Sequence, residues 1–400
     1  MPSPDAASNK RDVRIDLIRG LALLFVFTDH ISEISSAAGL IAARDFPLPT
    51  LRIVTWTTAA EFFVFLSGYV AGIVYSQTLA ARGFWLCQAR VLRRAGQIAR
   101  ANLVTFILIV PLLSLAWPLS PEAVATLDIG YLRQAPMEAL RDFVLGRYTP
   151  AYTDILLLYV PLTLLVPAML WLLRYSRAAA FVLSGILYLT AQISPRFSLP
   201  MRGHDFPGAD PVWFFNPLAW QFLFFIGLAF GSREALRNFN LFRDYPRLAR
   251  GLAVLLSISS AEKILFELSK INAFGLKVWL PRLALHGFGL GPLRPLRLAH
   301  FFLVFVLALS FIPTGERLQR TKWLGPIIVC GQHSLGVFAS GIVLTFACSL
   351  ALAKLNGGYL AYIAVAVFGI AVQVLTGVIL QWMQSEPWRS SPQRQTLTLS

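Results

Sequence analysis

The stretch "RIDLIRGLALLFVFTDHISEI", Arg14 to Ile34, is apolar enough to lie in lipid yet carries Asp16, Arg19, Asp29, His30 and Glu33. Arg19 and His30 stand eleven residues apart, which on an α-helix is three turns plus about 20°. Both therefore project from one face, about 16 Å apart along the axis. Glu33 shares that face, and Asp29 lies about a quarter turn away. A charged residue near the bilayer centre costs about 2.5–3.5 kcal/mol on insertion scales, so such a helix must turn these groups toward other helices or water. Imidazole titrates near neutrality and can take a proton from a hydroxyl, as acyl transfer to an alcohol requires. Arg14 and Asp16 read equally well as markers of the cytoplasmic end of the helix.

A second run, "TTAAEFFVFLSGYVAGIVY", places Glu61 among aromatics, and Gly68 and Gly72, four apart, suit close helix approach. Glu61 has two readings: an acid that orients the site, or a structural partner for a helix N-terminus or an arginine. Directly after this run comes "FWLCQARVLRRAGQIAR". Its Arg90, Arg93 and Arg94 serve either as a positive-inside anchor or as a grip on the phosphates of a nucleotide-like cofactor, which guanidinium forks match.

The elements that must position these groups follow from composition. The 400-residue chain is 56% hydrophobic and only 14% charged, with a mean hydropathy of +0.63. Soluble domains hold about 25% charged residues, so a soluble globule of this composition lacks the polar surface to cover itself. The apolar residues fall in blocks of about 20, the length of helix that crosses a ~30 Å hydrocarbon core. We read an all-α polytopic membrane bundle of about ten transmembrane helices, at roughly 15–36, 53–77, 101–119, 153–173, 178–194, 213–231, 251–268, 298–313, 325–351 and 360–383. Residues 1–13 form a polar N-terminal tail, 14–384 one bundle, and 385–400 a C-terminal tail. Loops 80–100 and 232–250 are arginine-rich and put roughly 20 of the 35 Lys and Arg on the side of the N-terminus. Both termini are therefore expected in the cytoplasm. Residues 269–297, with Lys270, Lys277, Arg282, Arg294 and Arg297, run against that bias and suggest a re-entrant stretch or extra crossing. The outer segment 120–152 is expected to carry a short surface helix.

The net charge of +15 is explained by cytoplasmic loops, and neither zinc-finger spacing nor a basic-aromatic strand pattern supports nucleic-acid binding. Cys87, Cys330 and Cys348 are widely spaced and read as core residues rather than metal ligands or a disulfide framework. No metal is expected. The first apolar run holds acidic residues and lacks a small-residue cleavage site, so it is expected to remain as a signal anchor.

The blocks "RDVRIDLIRGLALLFVFTDHI", "AEFFVFLSGYVAG", "WFFNPLAWQFLFFIG", "RLAHFFLVFVLALS" and "GQHSLGVFASG" resemble the OpgC family, succinyltransferases of osmoregulated periplasmic glucans within the broader transmembrane (acyltransferase 3-like) acyltransferases. The resemblance runs from about residue 11 to 380. It implies a ten-helix enzyme of the bacterial inner membrane that moves succinyl from cytoplasmic succinyl-CoA, its co-substrate, to hydroxyls of periplasmic glucans. The superfamily's Arg-to-His spacing falls on Arg19 and His30, its acid before a Phe-rich Ser-Gly block on Glu61, and its basic stretch on Arg90, Arg93 and Arg94. Arg297, His300 and His333 become candidates for lining the cavity, each with a structural hydrogen-bond role as the alternative. Lys263, with Glu262 and Glu267 nearby, reads as a buried ion pair.

The resulting expectation makes His30 the general base, oriented by Asp29 or Glu61. Arg19 serves the thioester oxygen or donor groups below it, and Arg90, Arg93 and Arg94 hold the donor phosphates. The implied partners are an acyl-CoA donor, a periplasmic glucan acceptor, the lipid bilayer and the machinery that makes the glucan. Alternatives are an acyltransferase with another acyl group or polysaccharide, a transporter of glucan or polar solute, and a non-catalytic partner of the glucan synthase.

Overall fold

The computed structural model describes residues 12–42, 48–115, 129–194, 196–202, 212–270, 288–313, 318 and 321–386. Their regular structure is helical, and the one β contact among them is an isolated bridge between Pro200 and Val212. Residues 1–11 of the first tail, 271–287 and residues 387–400 of the last tail lie outside the described residues.

Helix α1 spans Val13–Ala37 and starts where Asp12 accepts a hydrogen bond from the Arg14 amide. Arg14 is buried and donates to the Leu236, Arg237 and Phe239 carbonyls at 2.8, 2.7 and 3.2 Å, so it ties the start of α1 to the segment after another helix. A short α2, Leu51–Val54, precedes α3, Ala59–Leu115.

The loop expected at 80–100 is instead helical. Its Ala, Arg, Leu and Gln are strong helix formers, and α3 breaks only at Gly83, whose φ of 76° L side chains rarely adopt. Arg90, Arg93 and Arg94 therefore ride on the second arm of α3. The helix expected in 120–152 is present as α4, Gly130–Gln134, and α5, Pro136–Val144.

The run at 153–173 divides into α6, Asp154–Leu164, and α7, Val166–Tyr175, bent by 45°. Pro167 lacks the N–H that would continue the ladder to Thr163. Then follow α8 (Arg177–Ile193), α9 (Pro217–Gly231), α10 (Leu241–Asp244), α11 (Pro246–Lys270), α12 (Pro295–Phe311), α13 (Gly325–Gln332), α14 (Ser334–Lys354) and α15 (Tyr359–Gln384). The run at 325–351 is likewise two helices, α13 and α14, meeting at His333.

Among the described residues, three helical stretches are long and apolar enough to cross a membrane: Ala59–Leu112 of α3, and α14 and α15. Counting the bent pair α6–α7 as one span makes four; α8, α9 and α12 are shorter apolar helices. Val182, Ile186 and Leu189 of α8 and Val367, Phe368 and Leu375 of α15 are exposed. Apolar faces of this kind fit contact with lipid.

Small residues let the central helices touch. A Cβ on Gly68 of α3 would lie 2.0 Å from the Phe224 carbonyl oxygen of α9, and one on Gly231 of α9 would lie 1.9 Å from the Tyr69 oxygen. Neither backbone can yield cheaply, and overpacking of this kind costs about 1–3 kcal/mol. Gly68→Ala is expected to lower the melting temperature in detergent by several degrees, whereas Gly96→Ala, which meets open space on an exposed helix, is not. Equal melting temperatures for the two variants would contradict this packing.

Candidate active site

At the end of the bundle where α1, α8 and α11 finish and α3, α6, α9 and α12 begin lies a cavity of about 1180 Å³. The helical period of α1 supplies one wall, because Val26, Asp29, His30 and Glu33 recur at intervals of three and four. The His30 ring packs against Tyr152 with centroids 4.1 Å apart and planes tilted by 37°. Tyr152 holds the left-handed backbone, φ 70°, uncommon for a bulky residue and typical of sites where surrounding structure enforces it. Burial, reinforced by the Glu33 carboxylate, pushes the Tyr152 phenol well above its ordinary pKa, so it stays a neutral O–H at physiological pH. Neither ring nitrogen of His30 makes a hydrogen bond to a described residue.

The carboxylates near His30 are placed differently from expectation. Asp29 faces the cavity but accepts a 2.5 Å hydrogen bond from the Thr50 hydroxyl, not one from His30. Glu33 pairs with Arg52 at 2.9 Å. Glu61 is fully buried and takes the structural alternative. Its Oε2 accepts from the Thr58 amide at 3.0 Å and from the Thr58 hydroxyl at 2.6 Å. That is the return half of a capping box, Thr58-Ala-Ala-Glu61, at the start of α3. Its Oε1 accepts from Arg297 Nε. Glu61 thus holds the cavity wall, and Arg297, which lines it, is fixed further by donating to the Phe288 carbonyl at 3.0 Å.

Arg19 does not share the cavity. Its guanidinium sits 5.8 Å from the centre of the Phe63 ring and donates to the Ser334 hydroxyl at 2.5 Å. Phe63 and Phe338, stacked at 5.5 Å, form the lining there. Arg19 and His30 share a helical face, as their spacing predicts, and the aromatic pair from two other helices partitions it. His300 also stands off the lining, with Nδ1 3.1 Å from the Thr57 hydroxyl and Nε2 3.1 Å from that of Ser259. Both nitrogens are occupied, which is the structural role. His333 sits at the break between α13 and α14, outside the cavity lining.

The three arginines expected to hold phosphates lie elsewhere too. Arg90 donates to the Thr78 hydroxyl at 2.8 Å, Arg94 donates to Gln97 at 3.2 Å, and Arg93 is exposed. Thr78 follows Phe63 by fifteen residues on the first arm of α3, about 22 Å along the axis. Sequence reading missed Arg52, Tyr152, Asp154 and Trp56 on the cavity wall. Asp154 opens an apolar run as its first residue, a detectable signal; Arg52 sits in the one-turn helix α2, Trp56 in a bend and Tyr152 in a turn, all too short to show a period. The buried pair anticipated at Lys263 is present with Glu267, and the ammonium also lies 4.5 Å above the Trp56 ring.

A cavity with an unengaged imidazole and several fixed cations suits proton transfer on an anionic or polar substrate. The model of the OpgC protein family matches residues 11–385. The chain belongs to the OpgC family. Membership implies an acyltransferase-type enzyme and accords with the apolar helices of a membrane protein. No curated protein and no solved structure matches the chain.

For an OpgC-family enzyme, a cysteine acyl carrier is the obvious alternative to direct transfer. Cys330 and Cys348 are buried, their thiols directed at the Gln373 and Val365 carbonyls, and neither lines the cavity. A Cys330→Ser/Cys348→Ser variant is expected to keep full transfer activity, measured as acyl substituents per glucan by mass spectrometry; a loss above about tenfold would restore the covalent route. Among the described residues no cluster of three His, Cys, Asp or Glu side chains is placed to hold a metal ion.

Proposed function

We propose that this protein transfers a succinyl group from cytoplasmic succinyl-CoA to hydroxyls of periplasmic glucans, in one step, within the inner membrane. In this reading the chain crosses the bilayer about ten times with both termini in the cytoplasm, and the cavity opens at the periplasmic end. The observation that carries it is His30: an imidazole on the wall of the large cavity, held by Tyr152, with both nitrogens open to a substrate.

The chemistry follows. A glucan hydroxyl enters the cavity, and His30 removes its proton as the oxygen attacks the thioester carbonyl. The C–O bond forms, the C–S bond breaks, and the proton held by His30 passes to the departing sulfur. Asp29, tethered by Thr50, lines the same cavity wall one residue before the imidazole and leaves the ring nitrogens to the substrate. Arg90, Arg93 and Arg94 hold the donor phosphates at the cytoplasmic end. Arg19 sits along the route beneath Phe63 and steadies the donor there, in place of an oxyanion role inside the cavity.

The experiment is mass spectrometry of periplasmic glucans from cells with and without this gene. Glucans that persist but lack succinyl substituents support the proposal. Unchanged substituents, or loss of the glucan itself, oppose it.

A further inference from the structure

The cavity's cations can be paired one by one. Arg52 has Glu33, Lys263 and Lys270 share Glu267, and Arg297 has Glu61. Arg294 also faces the cavity and, among the described residues, has no carboxylate. Its Nη1 donates to two neutral oxygens of Gln192, the carbonyl at 3.1 Å and the side-chain Oε1 at 3.5 Å. Its Nε and Nη2 have no acceptor among the described residues.

The backbone that carries Arg294 is unusually well fixed. Three successive carbonyls before it each accept from a side chain on another helix or loop. Gly291 takes Trp220 Nε1 at 2.9 Å, Pro292 takes Gln192 Nε2 at 2.9 Å, and Leu293 takes the Tyr188 hydroxyl at 2.8 Å. Leu293 is fully buried at φ 46°, a left-handed conformation that a branched side chain adopts only where its surroundings impose it. A strained, pinned segment therefore presents a guanidinium that is steadied but not neutralised. That is how a site is prepared for a planar anion, since the guanidinium fork matches a carboxylate with two parallel N–H bonds.

We propose that Arg294 binds the distal carboxylate of the acyl group, so that the cavity selects a dicarboxylic acyl donor over a neutral one such as acetyl. This rests on the acyl-transfer reading and names its selectivity. The direction of entry agrees with it: a donor threaded from the cytoplasm leads with its acyl end, and Arg294 stands at the opposite, outer end of the bundle beside the close of α8.

The test uses the full-length protein in detergent with purified glucan. Rates with succinyl-CoA and acetyl-CoA give a selectivity ratio for wild type, Arg294→Gln and Arg294→Lys, and each protein is also titrated with succinate in the absence of donor. Arg294→Gln is expected to lower the succinyl-to-acetyl ratio by about 10²-fold, chiefly through KM for succinyl-CoA, because a site built for a polar group discriminates strongly. Arg294→Lys, which keeps charge but not the fork, is expected to fall between and remains informative should the glutamine variant fail to fold. Succinate affinity is expected to fall in parallel. A ratio and a succinate affinity unchanged in both variants overturn the proposal, as does an equal loss with both donors, which would assign Arg294 to the glucan or to folding. Wild-type protein that transfers neither acyl group would instead overturn the acyl-transfer reading, and the succinate titration would still decide the role of Arg294.

Discussion

His30→Ala is expected to leave folded, membrane-inserted protein whose glucan succinylation falls by about 10²–10⁴-fold, the usual contribution of a positioned general base. His30→Gln should fall as far, because it keeps bulk and hydrogen bonding but not the basic nitrogen. The choice of this imidazole over the other histidines among the described residues is structural. His300 spends both nitrogens on Thr57 and Ser259, and His333 lies off the cavity, whereas His30, among the described residues, makes a ring contact with Tyr152 and no side-chain hydrogen bond. The defect should appear in turnover rather than donor affinity, since a base acts on the hydroxyl proton in the transition state. Rates measured on purified variants, with size-exclusion profiles as the folding control, check it. Near-normal succinylation in His30→Ala would remove the assignment.

The second large effect concerns stability. Glu61 is fully buried and Arg297 is 6% exposed. Replacing either alone strands the other's charge in the interior, a cost of about 3–5 kcal/mol. That is a large part of the roughly 5–15 kcal/mol by which folded domains exceed their unfolded chains. Arg297→Met and Glu61→Leu are each expected to lower membrane levels and melting temperature sharply. Glu61→Leu/Arg297→Met should recover much of the loss, because an apolar pair of similar volume removes both charges together. Glu61 also closes the capping box with Thr58, so Glu61→Gln, which can still accept those bonds, should be milder than Glu61→Leu. Single variants that melt with wild type would show that the pair is not sealed from water.

The two effects separate the roles of charged residues that look alike in the sequence. His30 and Glu61 are both ionisable groups in apolar runs, yet one is left open to the cavity and the other is consumed by its neighbours. An intramembrane charge marks a place where something must compensate it; whether substrate or protein does so depends on what packs nearby.

Features that depend on local spacing were legible in the amino-acid order. Apolar block lengths pointed to an all-helical chain, though not to the helix across 80–100 or the breaks near Leu165 and His333, and the period of 3.6 put Asp29, His30 and Glu33 on one wall of the cavity. The pattern Thr-x-x-Glu contained the cap that Glu61 makes, and Lys263 and Glu267 stand one turn apart, as their ion pair requires. Family membership was also legible, because the matching blocks keep their order along the chain. Tertiary structure decided what stands between groups distant in sequence. Phe63 and Phe338 separate Arg19 from the cavity although Arg19 and His30 share a helix face. Tyr152 and Arg294 reach the site from non-helical segments that carry no period, and Arg297 finds Glu61 across more than two hundred residues. Helical periodicity fixes direction around one axis, but neighbours in three dimensions are chosen by how whole helices pack against one another.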